Sequence, residues 1–182
     1  MLLWLAIFYY GPQCFPLKPP FDLTPGLLDQ AIPFLPDTAW IYQSLFLLLP
    51  LAAYLQPNRE ALLRFATGFC WMVLGFSACF WLWPTQLAEP VSHAGSNWAY
   101  QHLVKALDGP RNAFPSLHAA LTVYAGTGIV SLYRKQTWVV ISILLWSGLL
   151  LLSTLTTKQH VLPDLLAGAA VGLVIAVFAI RS

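Results

Sequence analysis

His160 and Asp164 lie four residues apart in the polar stretch Thr156–Asp164, and this spacing predicts an imidazole and a carboxylate on one helical face. A carboxylate that accepts a hydrogen bond from one ring nitrogen leaves the other nitrogen with its lone pair, as attack on phosphorus requires. The alternative is a solvated helix cap without chemistry. The apolar run 162–180 favours the chemical role, because a carboxylate near hydrocarbon is costly without a partner.

A second histidine, His118, follows a proline and a small hydroxyl in the sequence Pro115-Ser116-Leu117-His118. Proline is tolerated in the first turn of a helix, and Ser116 offers a hydroxyl to unpaired backbone N–H groups, so a helix start is predicted here. Helix N-termini bind anions, and His118 would lie close enough to give a proton to a departing alkoxide and later take one from water. The alternative is a capped membrane helix with its histidine at the headgroup level.

Three cations accompany these histidines. Lys105 and Arg111 flank the turn Asp108-Gly109-Pro110, and Lys158 precedes His160 by two residues. Fixed cations stabilise the negative charge that spreads over the oxygens of a phosphoryl group in transfer, so their convergence predicts a phosphate site. Alternatively, the cations are interfacial anchors that reach toward lipid headgroups, and Asp108 is either a turn former or the partner of Arg111.

The composition predicts an integral membrane protein. Of the 182 residues, 58% are hydrophobic and only 9% are charged, against about 25% charged in soluble domains, and the mean hydropathy is +0.68. A formal net charge of +2 without any basic run makes nucleic acid an unexpected partner. The three cysteines lack ligand spacing, so neither a disulfide framework nor a zinc site is expected.

Apolar runs of the length needed to cross a bilayer, about 20 residues, predict an all-α, polytopic transmembrane helix bundle of five to six spans. Met1–Tyr10 is interpreted as a short sixth segment that Gly11-Pro12 halts, and residues 1–182 are expected to form a single integral membrane domain without an internal repeat. The five main spans are predicted near Thr38–Leu55, Ala61–Trp83, Phe114–Tyr133, Trp138–Leu155 and His160–Ile180.

The connections between these spans predict the orientation. The short basic ones contain Arg59, Arg134 and Lys135, which the positive-inside rule makes cytoplasmic, whereas the long proline-rich connections fall on the other side. The site motifs, all within 105–164, then reach one extracytoplasmic surface, where the proline-rich stretches would cover them. The short chain suggests the cytoplasmic membrane of a bacterium.

These residues resemble two of the three motifs of the type 2 phosphatidic acid phosphatase superfamily of lipid phosphate phosphatases and phosphotransferases. The family carries K-x6-R-P, P-S-G-H and S-R-x5-H-x3-D on one face of a six-helix bundle. The second motif appears here as Pro115-Ser116-Leu117-His118. The third appears as Ser153-Thr154 followed at the right distance by His160 and Asp164.

The chain departs from the family pattern at several positions. Lys105 and Arg111 have five residues between them, and Asn112 stands where the first motif has proline. Thr154 replaces the arginine of the third motif, which removes one phosphate clamp and leaves Lys158 as a substitute. Leu117 replaces the glycine of the second motif, and the sequence around it resembles the branch that includes inositol phosphorylceramide synthases.

The resemblance implies a role for each site residue in a phosphohistidine mechanism. His160 would be the nucleophile, Asp164 its orienting partner, and His118 the general acid and then base. The residues that would hold phosphate are Lys105, Arg111, Ser116 and Lys158. The scheme needs no metal and no cofactor, in keeping with the absence from the sequence of a carboxylate cluster of the kind that magnesium uses.

The leading functional hypothesis is therefore a membrane lipid phosphatase that acts on a lipid phosphate ester at the extracytoplasmic face. Hydrolysis and transfer share the first half-reaction, so a lipid headgroup phosphotransferase of the inositol phosphorylceramide synthase type is an alternative enzyme. A non-catalytic lipid-phosphate binder or flippase is an alternative from another class. Such a binder needs the cations but not a histidine oriented by a carboxylate.

Overall fold

The computed structural model describes residues 2–87, 97–106 and 111–181. Helices dominate this part of the chain, as the sequence predicts for an all-α membrane bundle. The described residues form eight α-helices: α1 Leu2–Cys14, α2 Leu27–Ala31, α3 Ala39–Gln43, α4 Leu45–Tyr54, α5 Arg59–Leu82, α6 Leu117–Leu132, α7 Thr137–Thr156 and α8 Leu162–Arg181. Glu89, His93 and Asp108 lie outside the described residues.

Three helices, α5, α7 and α8, are long and apolar enough to cross a membrane, and α6 is a shorter apolar helix of 16 residues. Helix α5 begins where the Asn58 side chain accepts a hydrogen bond from the Ala61 N–H at 2.8 Å, which caps its first turn. Its buried residues recur every three to four positions, as expected for one face packed on a core. They are Phe65, Phe69, Met72, Val73, Phe76, Ser77 and Phe80.

Helices α6 and α8 make the closest contact in the bundle. They begin at the same end, where the Ser116 N–H donates to the Asp164 carbonyl at 3.0 Å, and they run in the same direction. A Cβ at Gly168 would overlap the Ser116 carbonyl, so only glycine permits this approach of the two backbones. Gly172, one helical turn further on, lies in the same way against the Ala120 carbonyl.

Two sequence expectations about the helices were wrong. The predicted span Thr38–Leu55 is broken at Ser44, where α3 ends and the Ser44 hydroxyl donates to the Ile41 carbonyl while accepting from the Trp146 indole N–H. Helix α1 is not halted at Gly11-Pro12 but continues to Cys14. A proline this close to a helix end removes only one donor, and the Phe15 N–H still bonds the Gly11 carbonyl at 3.0 Å.

The segments between the long helices carry short structures that the hydropathy pattern does not reveal. Strands β1 (Phe21–Leu23) and β2 (Thr85–Leu87) pair in parallel, with Asp22 opposite Gln86. Tyr100–Lys105 forms a π-helical turn that packs against α3. These segments lie at the end of the bundle where α6 and α8 begin. The Leu35 N–H donates to the carbonyl of Thr156, the last residue of α7, and the Phe114 N–H, just before α6, donates to the Thr85 hydroxyl in β2.

Candidate active site

His160 and Asp164 form a buried hydrogen-bonded pair at the start of α8. Nδ1 of His160 lies 2.8 Å from Oδ2 of Asp164, and the two side chains are 8% and 0% exposed. His160 precedes α8 rather than lying within it, so the predicted helical start at His160 was two residues early. An ionised carboxylate can only accept, so Nδ1 carries the proton, and in the neutral ring Nε2 has the lone pair.

Helix α6 begins beside this pair, with Ser116 as its N-cap. The Ser116 hydroxyl accepts a hydrogen bond from the Ala119 N–H at 3.1 Å, as predicted for a cap, and its own N–H donates to the Asp164 carbonyl. The first turn of a helix of this length presents backbone N–H groups and the positive end of the helix dipole. These donors therefore point toward the end of the bundle that holds His160.

His118 lies in the first turn of α6 and is oriented by a backbone carbonyl. Its Nε2 lies 2.9 Å from the carbonyl oxygen of Tyr42, and its ring stacks on the Tyr42 ring with centroids 3.9 Å apart. Because a carbonyl can only accept, Nε2 carries the proton and Nδ1 is the nitrogen that can exchange one. The motif that carries His118 meets the motif that carries His160, because the Ser116 N–H donates to the Asp164 carbonyl at 3.0 Å. The fold thus brings together two motifs that α7 separates in sequence.

Of the first motif, Arg111 and the neighbouring Asn112 bond the backbone of α1. Nη1 of Arg111 donates to the Gln13 carbonyl at 2.8 Å, at the C-terminal end of α1, and Asn112 donates to the Tyr9 carbonyl at 2.9 Å. Lys105 is exposed at the end of the π-helical turn, and the turn residues 107–110 that were expected to bring it toward Arg111 lie outside the described residues. The role of both cations in phosphate binding stays a prediction.

Lys158 bonds a neighbouring loop. Its Nζ donates to the carbonyls of Asp29 at 2.7 Å and Ile32 at 2.5 Å, in the proline-rich segment before α3. The residue has a φ of 56°, in the left-handed region that is uncommon for residues other than glycine. An ammonium group has three donors, so contact with a phosphate in addition to these carbonyls stays a prediction.

Thr154, which replaces the family arginine, faces its own helix. Its buried hydroxyl donates to the Leu151 carbonyl at 2.8 Å, and its carbonyl accepts from the N–H groups of Gln159 and His160 at 3.1 and 3.2 Å. A threonine hydroxyl commonly bonds backward to the preceding turn in this way. Position 154 therefore supports the backbone of His160 and directs no positive charge toward it.

A cavity of about 530 Å³ opens beside His160, which lines it together with Lys158. Most of its other wall residues are apolar, as expected for a site that accepts part of a lipid. These other residues are Pro25, Asp29, Gln30, Ile32, Phe34, Leu87, Leu155 and Val161. The segment before α3 thus lines the cavity beside the histidine through Ile32 and Phe34, and coverage of the site by all the proline-rich stretches stays a prediction. Among the described residues, no cluster of three or more His, Cys, Asp or Glu side chains could hold a metal ion.

Three contributors to the site were missed from the sequence. The pair Gly168 and Gly172 carries a readable signal, since small residues four apart in an apolar helix are typical of close helix contacts. Asp29 and Tyr42 carry no such signal. Asp29 lies in a long proline-rich connection without a recognisable motif, and the carbonyl of Tyr42, which bonds His118, is present in every residue type.

Comparison with known proteins gives one match. The family model described as PAP2 superfamily matches residues 26–178, which include every candidate site residue and most of the bundle. No curated protein and no solved structure matches the chain.

Proposed function

The chain belongs to the PAP2 superfamily, and on this premise we propose that it hydrolyses a lipid phosphate ester through a phosphohistidine intermediate. Membership itself indicates a phosphoric ester hydrolase of the lipid-phosphate type. Three apolar helices long enough to cross a membrane agree with an integral membrane protein. The observation that carries the finer proposal is the buried hydrogen bond between His160 and Asp164.

In the first half-reaction, Nε2 of His160 attacks phosphorus and forms a P–N bond while the P–O bond to the lipid alkoxide breaks. Nδ1 of His160 keeps its proton and its hydrogen bond to Asp164, and the buried carboxylate stabilises the positive charge that develops on the ring. His118 enters this step as an imidazolium that is protonated on both nitrogens, and the alkoxide takes the proton on Nδ1 while Nε2 remains bonded to the Tyr42 carbonyl.

In the second half-reaction, water attacks phosphorus as His118 takes back a proton at Nδ1. The P–N bond breaks, His160 recovers its lone pair, and inorganic phosphate leaves. Backbone N–H groups at the start of α6, together with Arg111, Lys105 and Lys158, are assigned to the phosphoryl oxygens, over which negative charge is spread in the transition state.

The proposed substrate is a lipid phosphate that enters from the extracytoplasmic leaflet of a bacterial cytoplasmic membrane. The apolar cavity beside His160 supports a substrate with an apolar portion, since few of its wall groups would bond a polar headgroup. The short basic loops at the opposite end of the bundle support the orientation, because such loops remain cytoplasmic.

The test is a panel of lipid monophosphates and phosphodiesters, incubated with the purified protein in detergent, with and without an alcohol acceptor such as inositol. We expect inorganic phosphate from at least one monophosphate, and loss of release in His160→Ala. Phosphoester formed on the acceptor alcohol would instead identify a phosphotransferase. Lipid binding without turnover in the wild type would identify a binder and contradict the proposal.

His160→Ala removes the attacking nitrogen but no phosphate-binding group, so lipid binding should persist while turnover is lost. His102→Ala is the matched control. His102 is exposed in the π-helical turn, where Nδ1 lies 3.0 Å from the Trp98 carbonyl, and its loss should leave turnover unchanged. Wild-type phosphate release in His160→Ala would rule out the nucleophile assignment.

A further inference from the structure

The segment before α3 is hydrogen-bonded to the backbone before His160 and to the backbone after it. We name residues 26–34, which include α2, the outer strap, and residues 157–162, which join α7 to α8, the nucleophile segment. The two are far apart in sequence but are joined at Lys158 and at Leu162. Each junction lies two residues from His160, one before it and one after it.

The junction at Leu162 is made by the carboxylate of Asp29. Oδ1 accepts the Leu162 N–H at 2.7 Å, and Oδ2 accepts the Gly26 N–H at 2.9 Å. The residue is 7% exposed, so both oxygens of a buried carboxylate bond backbone donors. Leu162 is the first residue of α8, where the helix dipole and unpaired N–H groups favour a negative charge. A bond of this kind, to a charged acceptor, is stronger than one between neutral groups.

The junction at Lys158 runs in the other direction, from the nucleophile segment to the strap. Its Nζ donates to the carbonyls of Asp29 and Ile32, which bracket the end of α2. The left-handed φ of Lys158 turns the chain out of α7 toward His160. A backbone conformation of this kind costs energy in a residue with a Cβ and persists only when its surroundings hold it.

Three constraints therefore act on five consecutive residues. The ring of His160 is held by Asp164, and the backbone on its two sides is held by the strap. Attack on phosphorus requires the nucleophilic atom to lie within a few tenths of an ångström of its working position, and a shift of about 1 Å can cost 10²-fold in rate. Hydrogen bonds at Leu162 and Lys158 limit such a shift of Nε2.

We propose that Asp29 is a positioning residue for the nucleophile. By bonding the Leu162 N–H, with Lys158 as the second anchor, it fixes the nucleophile segment so that Nε2 of His160 faces the phosphate. Asp29 touches no reacting atom. The inference rests on the proposed function, because it assigns a purpose to the placement of His160.

The test compares Asp29→Ala with Asp29→Asn in single-turnover and steady-state kinetics, normalised to monodisperse protein. Alanine removes both bonds, so we expect kcat to fall about 10- to 100-fold with KM unchanged. Asparagine keeps one oxygen that can accept the Leu162 N–H and loses the acceptor for Gly26, so it should restore most of kcat. A role in folding alone would lower the yield of both variants and leave the normalised kcat at the wild-type value, which would overturn the proposal.

Asp22→Ala is the matched control on the same outer segment. The Asp22 carboxylate accepts from Gln86 at 2.7 Å and links β1 to β2. We expect its normalised kcat to equal that of the wild type. A loss as large as that of Asp29→Ala would show that any carboxylate of the outer loop has this effect, and would contradict a specific role for Asp29.

Lys158→Gly and Lys158→Met separate the second anchor from its backbone turn. Glycine adopts the left-handed φ without strain but has no side chain, whereas methionine keeps an apolar stem and loses all three N–H donors, including the two that bond the strap. If the anchor matters, both variants lose kcat and keep wild-type lipid-phosphate binding, whereas loss of the phosphate contact assigned to Lys158 would also weaken that binding. Full kcat in Lys158→Gly would show that the turn alone is needed, and would overturn the role of Lys158 as an anchor.

The result for His160→Ala separates failure of the proposed function from failure of the positioning role of Asp29. If neither the wild type nor His160→Ala releases phosphate from any lipid in the panel, the proposed function fails and Asp29 has no reaction to serve. If the wild type is active, His160→Ala is inactive and Asp29→Ala retains full kcat, only the positioning role fails.

Discussion

The two sides of the candidate site are held in different ways. On one side, α6 and α8 approach so closely that Gly168 and Gly172 leave no space for a Cβ against the backbone of α6. On the other side, the outer strap, Arg111 and Asn112 are attached through individual hydrogen bonds to backbone groups. Ser116, His118 and Asp164 belong to the packed side, whereas Arg111 and Lys158 belong to the attached side.

Packed contacts and single hydrogen bonds should therefore differ in their effects on chemistry and on stability. Overfilling a packed contact costs about 1–3 kcal/mol and displaces backbone, so it alters the distance between the two histidines. A single hydrogen bond contributes about 1 kcal/mol, and its loss leaves the helices where they are. Bonds on the attached side should affect turnover only where they hold the nucleophile segment, as Asp29 does, or a cation assigned to the phosphate, as the Gln13 carbonyl does for Arg111.

Of the substitutions that compare the two sides, Asp164→Asn on the packed side is expected to lower kcat most. An amide can turn its NH₂ group toward Nδ1 of His160, which would place the proton on Nε2 and remove the attacking lone pair. We expect kcat to fall by about 10²- to 10⁴-fold with little change in lipid binding. Steady-state kinetics and a lipid-binding assay measure the two quantities.

Glu60→Gln is the control for removal of a carboxylate. Glu60 is mostly exposed at the opposite end of the bundle and pairs with Arg64 at 3.0 Å on the same helix, a contact that contributes little. Its kcat should equal that of the wild type. Wild-type kinetics in Asp164→Asn would make Asp164 a bystander.

A smaller effect is expected from Gly168→Ala, which tests the packed contact directly. The added Cβ would overlap the Ser116 carbonyl, so α6 and α8 must separate. We expect kcat to fall about tenfold or more and the free energy of unfolding to fall by about 1–3 kcal/mol. Gly148→Ala is the control, because a Cβ there meets open space. Equal kcat in both alanine variants would contradict the importance of close packing.

The smallest effect is expected on the attached side, at Asn112. This residue has a φ of 62° and bonds the Tyr9 carbonyl. Asn112→Gly relieves the backbone while losing the bond, so stability should change by less than about 1 kcal/mol, whereas Asn112→Ala loses the bond and keeps the strain, at a cost of about 2 kcal/mol. Thermal unfolding measures both. A loss of kcat in Asn112→Gly would show that the attachment of α1 also controls chemistry.

The parts of the fold that could be predicted are those encoded locally. Apolar runs predicted the helices near α5, α7 and α8, because a bilayer span requires a certain length of apolar sequence. The spacing of four between His160 and Asp164 predicted that their side chains can meet, and Ser116 predicted a helix cap.

The parts that could not be predicted depend on partners distant in sequence. The break between α3 and α4 is stabilised by Trp146, and the bond from Asp29 to Leu162 joins residues that no local pattern relates. Strands of three residues, such as β1 and β2, are too short to show periodicity. The close contact of α6 and α8 could be predicted only in part. The spacing of Gly168 and Gly172 indicates that α8 packs closely on another helix, but it does not indicate which one.

Capture of the phosphorylated enzyme would show whether His160 is the nucleophile. An aryl phosphate with a good leaving group needs no proton from His118, so His118→Ala should form the P–N bond and then hydrolyse it slowly. After a rapid basic quench, which preserves phosphohistidine, mass spectrometry should find one phosphoryl group on the peptide that contains His160. Turnover of the aryl phosphate by His118→Ala with no phosphoryl group on His160, or with the group on another residue, would contradict the account.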